Sequence, residues 1–360
     1  MQLPVDIKAV VEEAASIDEA RRTPLSVSVY VDDTAPGDVQ AHVRQAFASA
    51  SPHARVSLMY LEGRPFAPYA GDDMAVIVAG LDERVGECAK RLREAGVPVM
   101  VATTLPELVS DIAQASGHAI PCGDLVAPKA PRDLPAVAAD DGDLGAEPYA
   151  LDAFAAASLS ERMGDWVIDA CADKRLAFAL AFPFVRKPLA LEAVNATALQ
   201  NAGVGLLVII PGADLPVMTL NQAKMLLQIA AAYGEELGLA RVKELAALVG
   251  GAFACRAVAR QLVAFVPALG WAVKAAIGYT GTQAMGRAAI EYYEGGVTAG
   301  RLVDAVARAR DRAVQAAASR VTAKAQDAGA AAAVHARDCA VRVAGGMRRA
   351  AASRLVRGRR

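Results

Sequence analysis

The chain has 360 residues, 54% apolar, 21% charged and 5% aromatic, with a formal net charge of −1. That length and apolar content support more than one packed core and exclude disorder throughout. Its five cysteines, Cys88, Cys122, Cys171, Cys255 and Cys339, form no C-x-x-C pair, which excludes a zinc ribbon and argues against a disulfide framework.

The predicted elements begin with a helix over residues 5–20, in a segment with neither a basic n-region nor an apolar h-region, so no secretory leader is expected. Leu25–Val31 alternates with period two and reads as a strand. A helix follows over Pro36–Ala50, then a strand at Val56–Leu61. Met74–Ala79 is a continuous apolar run, the signature of a buried parallel strand. Glu83–Ala95 reads as a helix stopped by Gly96, Val97–Ala102 as a strand, Pro106–Ser116 as a helix, and Ala119–Ile120 as a short last strand. Strands alternating with helices of this length predict a Rossmann-like parallel α/β layer over residues 1–125.

The turn after the first strand, Asp32-Asp33-Thr34-Ala35-Pro36-Gly37-Asp38, holds three carboxylates and no cation before Arg44, so it lacks the phosphate chemistry of a P-loop. Asp32, Asp33 and Asp82, with Thr103, Thr104 and Lys129, suggest instead an acidic pocket that would hold magnesium and accept a phosphoryl group. The plainer reading makes these aspartates loop and helix caps. No cofactor is implied, and no metal-ligand spacing, H-E-x-x-H or G-x-S-x-G occurs, so no catalytic residue is assigned and the chain is not read as an enzyme.

Residues 126–150, with four prolines and Asp140-Asp141-Gly142-Asp143, read as a linker. Residues 151–300 read as an apolar, Ala/Gly-rich helical domain, with helices at Leu159–Ala181, Pro188–Ile210, Leu215–Tyr233, Arg241–Gly250, Arg256–Val266 and Gly270–Tyr293. Residues 193–213 are uncharged over about the length a bilayer requires, and Lys274 alone interrupts 261–286. Gly278, Thr282 and Gly286, four apart, form a ridge for close helix packing. Gln200, Asn201, Asp214, Asn221, Gln222, Lys224, Lys274 and Thr282 are the polar residues within or at the ends of these helices, and are expected to satisfy one another as a network. Residues 301–360 read as a basic, Ala/Arg-rich helical tail.

Charge divides the same way. Residues 1–160 carry 24 acidic and 12 basic side chains, residues 161–300 carry 11 and 12, and residues 301–360 carry 4 and 14. The tail therefore suits phosphates, of lipid headgroups or, through the tail alone, of nucleic acid. Positive charge favours the cytoplasmic side of a membrane, so both ends are expected there, with two crossings near 193–213 and 259–286 or with peripheral docking.

The ordered series Asn195-Ala196-Thr197-Ala198-Leu199-Gln200-Asn201, Ile210-Pro211-Gly212-Ala213-Asp214-Leu215-Pro216, Thr219-Leu220-Asn221-Gln222, Val266-Pro267-Ala268-Leu269-Gly270-Trp271 and Gly281-Thr282-Gln283-Ala284-Met285-Gly286 resembles the YcjF-type domain of unknown function over residues 182–294. That family occurs in bacterial inner-membrane proteins and fused to Era-like GTPases. The resemblance implies a helical, membrane-associated domain at the cytoplasmic face of a bacterial inner membrane, with lipid and an unidentified protein as partners. By the same analogy the N-terminal layer looks like a degenerate G domain. Three readings follow: a non-catalytic membrane-associated interaction or scaffold protein; a soluble cytoplasmic regulator with the acidic magnesium or phosphoacceptor pocket; and a degenerate nucleotide binder related to GTPases.

Overall fold

The computed structural model describes residues 17–61, 66–129, 151–207, 214–235 and 270–295. After a helical turn at 17–21 come β1 (Leu25–Val31), α1 (Gly37–Ala46), β2 (Ala54–Tyr60), β3 (Met74–Val78), α2 (Arg84–Glu94), β4 (Val99–Ala102), α3 (Pro106–Ala115) and β5 (Leu125–Val126). The five strands form one sheet in the order β2-β1-β3-β4-β5, every pair parallel. An α/β sheet followed by helices is therefore the observed architecture.

The apolar patterns account for the layers. Every residue of β3 is buried, as a central strand covered on both faces requires. On one face Val27, Val29, Val31, Met74, Val76 and Val78 pack against Val39, Val43 and Phe47 at α1. On the other, Ala75, Ile77, Val99 and Val101 meet Val85, Cys88, Ala89 and Leu92 of α2 and Val109 and Ala113 of α3. Gly96 and Gly117, at φ 79° and 77°, end α2 and α3 in the left-handed conformation that glycine adopts at little cost.

The helical block comprises α4 (Ala153–Ala170), a 3₁₀ turn (Ala172–Lys174), α5 (Arg175–Ala181), α6 (Pro183–Leu207), α7 (Asp214–Ala232) and α8 (Gly270–Gly295). Asp152 caps α4 by accepting from the Ala155 N–H at 2.7 Å. Leu159, Met163 and Val167 of α4 lie in the same cluster as the β1 and β3 valines. The helix expected to open a separate domain at residue 151 thus completes one face of the sheet. The cluster runs on through Phe178, Phe182 and Val185. Phe47 of the sheet layer sets its ring 5.1 Å from both Phe182 and Phe184, edge to face. A further core joins Ala190 and Val194 of α6, Ala223, Leu226 and Leu227 of α7, and Met285, Ala289 and Ile290 of α8.

Three expectations need correction. The last strand lies at Leu125–Val126 rather than Ala119–Ile120, because Pro121 has no N–H for a ladder and Asp124 N–H closes a turn onto Pro121 O. The predicted helix Leu159–Ala181 is two helices broken at Cys171, whose φ of −113° and ψ of 48° are not helical. The helix predicted to begin at Pro188 begins at Pro183, with Pro188 inside it. Across the predicted boundary at 150/151, side chains of α4 and α5 share a core with the sheet. The predicted helices at Arg241–Gly250 and Arg256–Val266, the tail, and most of the 126–150 linker lie outside the described residues.

Candidate functional site

In a sheet of this order the crossovers leave β1 and β3 in opposite directions, and ligands of open α/β sheets bind in the crevice that this creates outside the carboxyl ends. Asp32, Thr34, Gly80 and Asp82 meet there. Asp32 is 1% exposed. Its Oδ1 accepts from the Thr34 N–H at 2.9 Å and the Thr34 hydroxyl at 2.8 Å. Its Oδ2 accepts from the N–H of Gly80 at 2.7 Å and of Asp82 at 3.2 Å. Thr34 Oγ1 in turn accepts from the Leu81 N–H at 2.6 Å. This carboxylate is a bracket that ties the β1 turn to the β3 turn.

Gly80 shows how tightly the turns meet. A Cβ there would lie 2.3 Å from Ala35 N and from the Thr34 carbonyl carbon, so the β1 turn sits in the space that a side chain would need. The backbone of the β1 turn therefore abuts Gly80 directly.

The remaining acids at this end of the sheet are separated. Asp33 is exposed. Asp82 receives Arg84 Nε at 3.1 Å and Nη2 at 2.6 Å, and also accepts the Arg84 N–H at 2.9 Å where α2 begins. The Arg84 side chain bonded to it holds the Asp82 carboxyl below the usual carboxylate range. Thr103 Oγ1 accepts from the Leu105 N–H at 3.0 Å. Thr104 is buried and its hydroxyl has no partner. Lys129 lies 3.6 Å from Glu161 of α4, an exposed pair. Among the described residues no group of three or more His, Cys, Asp or Glu side chains could hold a metal ion.

The second cluster lies where α6, α7 and α8 meet. Thr282 Oγ1 receives Asn201 Nδ2 at 2.9 Å and Gln222 Nε2 at 3.0 Å, and donates to Gly278 O at 2.7 Å. Asn221 Nδ2 donates to Asn201 Oδ1 at 3.0 Å. Asn201, Gln222 and Thr282 are buried. Four of the predicted network residues are thus brought together. Gln200 faces solvent, Lys224 is half-buried on α7, and Asp214 and Lys274 are placed only by their helices, α7 and α8. One contact was not foreseen: Gln283 Nε2 donates to Asn195 Oδ1 at 2.7 Å across the same helix pair. Asn195 and Asn201 lie six residues apart on α6 while Thr282 and Gln283 are adjacent on α8, so no shared helical period in the sequence marks this second contact.

The predicted ridge lies along this contact. A Cβ on Gly278 would stand 2.9 Å from Asn201 O, and one on Gly286 would stand 2.3 Å from Val194 Cγ2. Near the network, Leu199, Val217 and Tyr279 are exposed apolar side chains on three different helices. Among the described residues no helix is long and apolar enough to cross a membrane.

Comparison of the chain with family models, curated proteins and solved structures returns no match.

Proposed function

We propose that this chain is a non-catalytic, membrane-associated interaction protein of the bacterial cytoplasmic face, in which the Rossmann-like layer meets a protein partner and the helical block meets lipid. The observation that carries the reading is a set of exposed apolar side chains beside the polar network. Leu199, Val217 and Tyr279 are exposed within about a turn of the Asn201–Asn221–Thr282 network, which fixes the three helices at a common level. Leu199 lies within the uncharged stretch 193–213 and Val217 shortly after it. Exposed apolar side chains gain about 25 cal/mol per Å² on leaving water. A net excess of ten basic side chains in residues 301–360 adds electrostatic attraction to anionic headgroups.

The soluble-regulator and nucleotide-binder readings draw less support. All of Asp32's acceptor bonds go to neighbouring protein donors, and the β1 turn abuts Gly80.

Vesicle flotation tests the proposal. The full chain is expected to float with vesicles containing anionic lipid and to keep a salt-resistant fraction bound. The Leu199→Asp/Tyr279→Asp variant, altered only at exposed positions, is expected to keep its fold and lose that fraction. Complete release of the unaltered protein by high salt would overturn insertion. Retention after carbonate washing of cell membranes would favour crossing segments over peripheral docking.

A further inference from the structure

The open edge of the sheet carries a second surface, independent of the lipid reading. Among the described residues β2 pairs with β1 on one side only. The ladder fixes which of its backbone groups are spent. Leu25 N–H donates to His53 O, and Leu61 N–H donates to Val31 O. In a parallel pair the strand therefore bonds to β1 through its odd-numbered residues. Val56, Leu58 and Tyr60 turn their N–H and C=O groups away from the sheet. An edge of this kind is normally blunted by charge, proline or a bulge. The strand Ala54-Arg55-Val56-Ser57-Leu58-Met59-Tyr60 has a single charge, Arg55, and that guanidinium lies over the Tyr69 ring at 4.7 Å. Val56, Leu58, Met59 and Tyr60 are all exposed, Tyr60 at 50%.

We infer that this edge pairs with β2 of a second copy of the chain, antiparallel about a two-fold axis at Ser57. Three observations select a second copy. The register is self-complementary in its backbone: Val56 falls opposite Leu58 and Ala54 opposite Tyr60, so outward-facing residues meet outward-facing residues and exchange ladder bonds. The side chains are complementary in size. Tyr60 of each copy lands beside Ala54 of the other. There a groove of about 320 Å³ opens between β2 and the end of α1, lined by Ala54, Val56, Phe47 and Ala48 among others. The charges are compatible, since Arg55 falls opposite Met59. The two Arg55 side chains lie about 13 Å apart along the ladder at ~3.3 Å per residue, beyond a Debye length of ~8 Å. The contact is isologous and closed, so it consumes the β2 edge of both copies.

The register gives a sharp test. Ser57 meets its own copy in a non-hydrogen-bonded pair, with Cα atoms about 4.5 Å apart, within the roughly 4.4–6.8 Å that a disulfide spans. In the full chain, Ser57→Cys is expected to oxidise to a covalent dimer linked through residue 57, mapped by mass spectrometry. Met59→Cys, which faces residue 55 of the second copy, is expected not to link. Light scattering in high salt is expected to give the dimer mass for the unaltered chain and the monomer mass for Leu58→Lys, whose circular dichroism spectrum is expected to be unchanged because Leu58 is already half exposed. Tyr60→Ser is expected to weaken the dimer while keeping the fold. A monomer at all concentrations, a dimer that survives Leu58→Lys, or equal linking by Met59→Cys and Ser57→Cys overturns the inference.

Discussion

Asp32 illustrates how a residue with functional chemistry can be spent on architecture. Its two oxygens take four donors from two turns that lie almost fifty residues apart in sequence. Removing it strands buried N–H groups, each costing roughly 1–3 kcal/mol. Asp32→Ala is therefore expected to destabilise by about 2–4 kcal/mol in denaturant unfolding, whereas Asp33→Ala, on an exposed side chain, should change little. The sequence shows both aspartates but not their inequality, because that inequality depends on Gly80 and on how closely the β1 turn approaches it. His42 offers a test of sign. Its Nε2 lies 2.9 Å from Ser160 Oγ of α4, and burial lowers its pKa from 6.5. A histidine that ionises less readily when folded binds more protons in the unfolded chain below pH 6.5, so stability falls as pH drops through that value toward the folded pKa. His42→Gln is expected to flatten the stability slope between about pH 7 and about pH 5, measured against the unaltered chain by denaturant unfolding.

Among the elements, those with apolar runs buried on both sides were legible, and β3 is the clearest. β5 was not: a two-residue edge strand has no period, and Pro121 displaced it. Helix types were legible but several bounds were not. Pro188 has no N–H to return to Phe184 O, and the carbonyl so released lies against α4, where a Cβ at Gly164 would stand 2.7 Å from it. A helix can thus contain a proline where a neighbour crosses, which a single sequence does not announce. The ridge on α8 was legible because its spacing is periodic, though not which helix it would meet. Its glycines make a quantitative prediction. Gly286→Ala must push aside the stiff side chain of Val194, with overpacking costing about 1–3 kcal/mol against a helix-propensity gain of about 1 kcal/mol. Gly203→Ala on α6 meets nothing within 4 Å and is expected to gain that propensity outright. The two substitutions should shift the melting temperature in opposite directions. Equal shifts would mean that α6 and α8 do not touch at Gly286.

At the scale of the molecule, the near-zero net charge is the sum of an acidic sheet-bearing half, a balanced helical block and a basic tail. The charge blocks did not mark the physical seams. The sheet layer's core does not close at residue 150 but continues through Leu159, Met163 and Val167 into Phe178 and Phe182. Lys174 adds a polar tie across the same junction, donating to Asp73 Oδ1 at 2.7 Å and to Pro24 O at 3.0 Å. The Pro- and Asp-rich stretch that suggested a tether is therefore bypassed by α4, which packs on the sheet and on α6. A domain on a loose tether would sample many orientations above whatever surface held it. Here any surface that grips the helices also sets the heading of the sheet. Its open β2 edge would then be presented at one fixed angle, and two copies on a common surface would meet with part of their rotational freedom already spent.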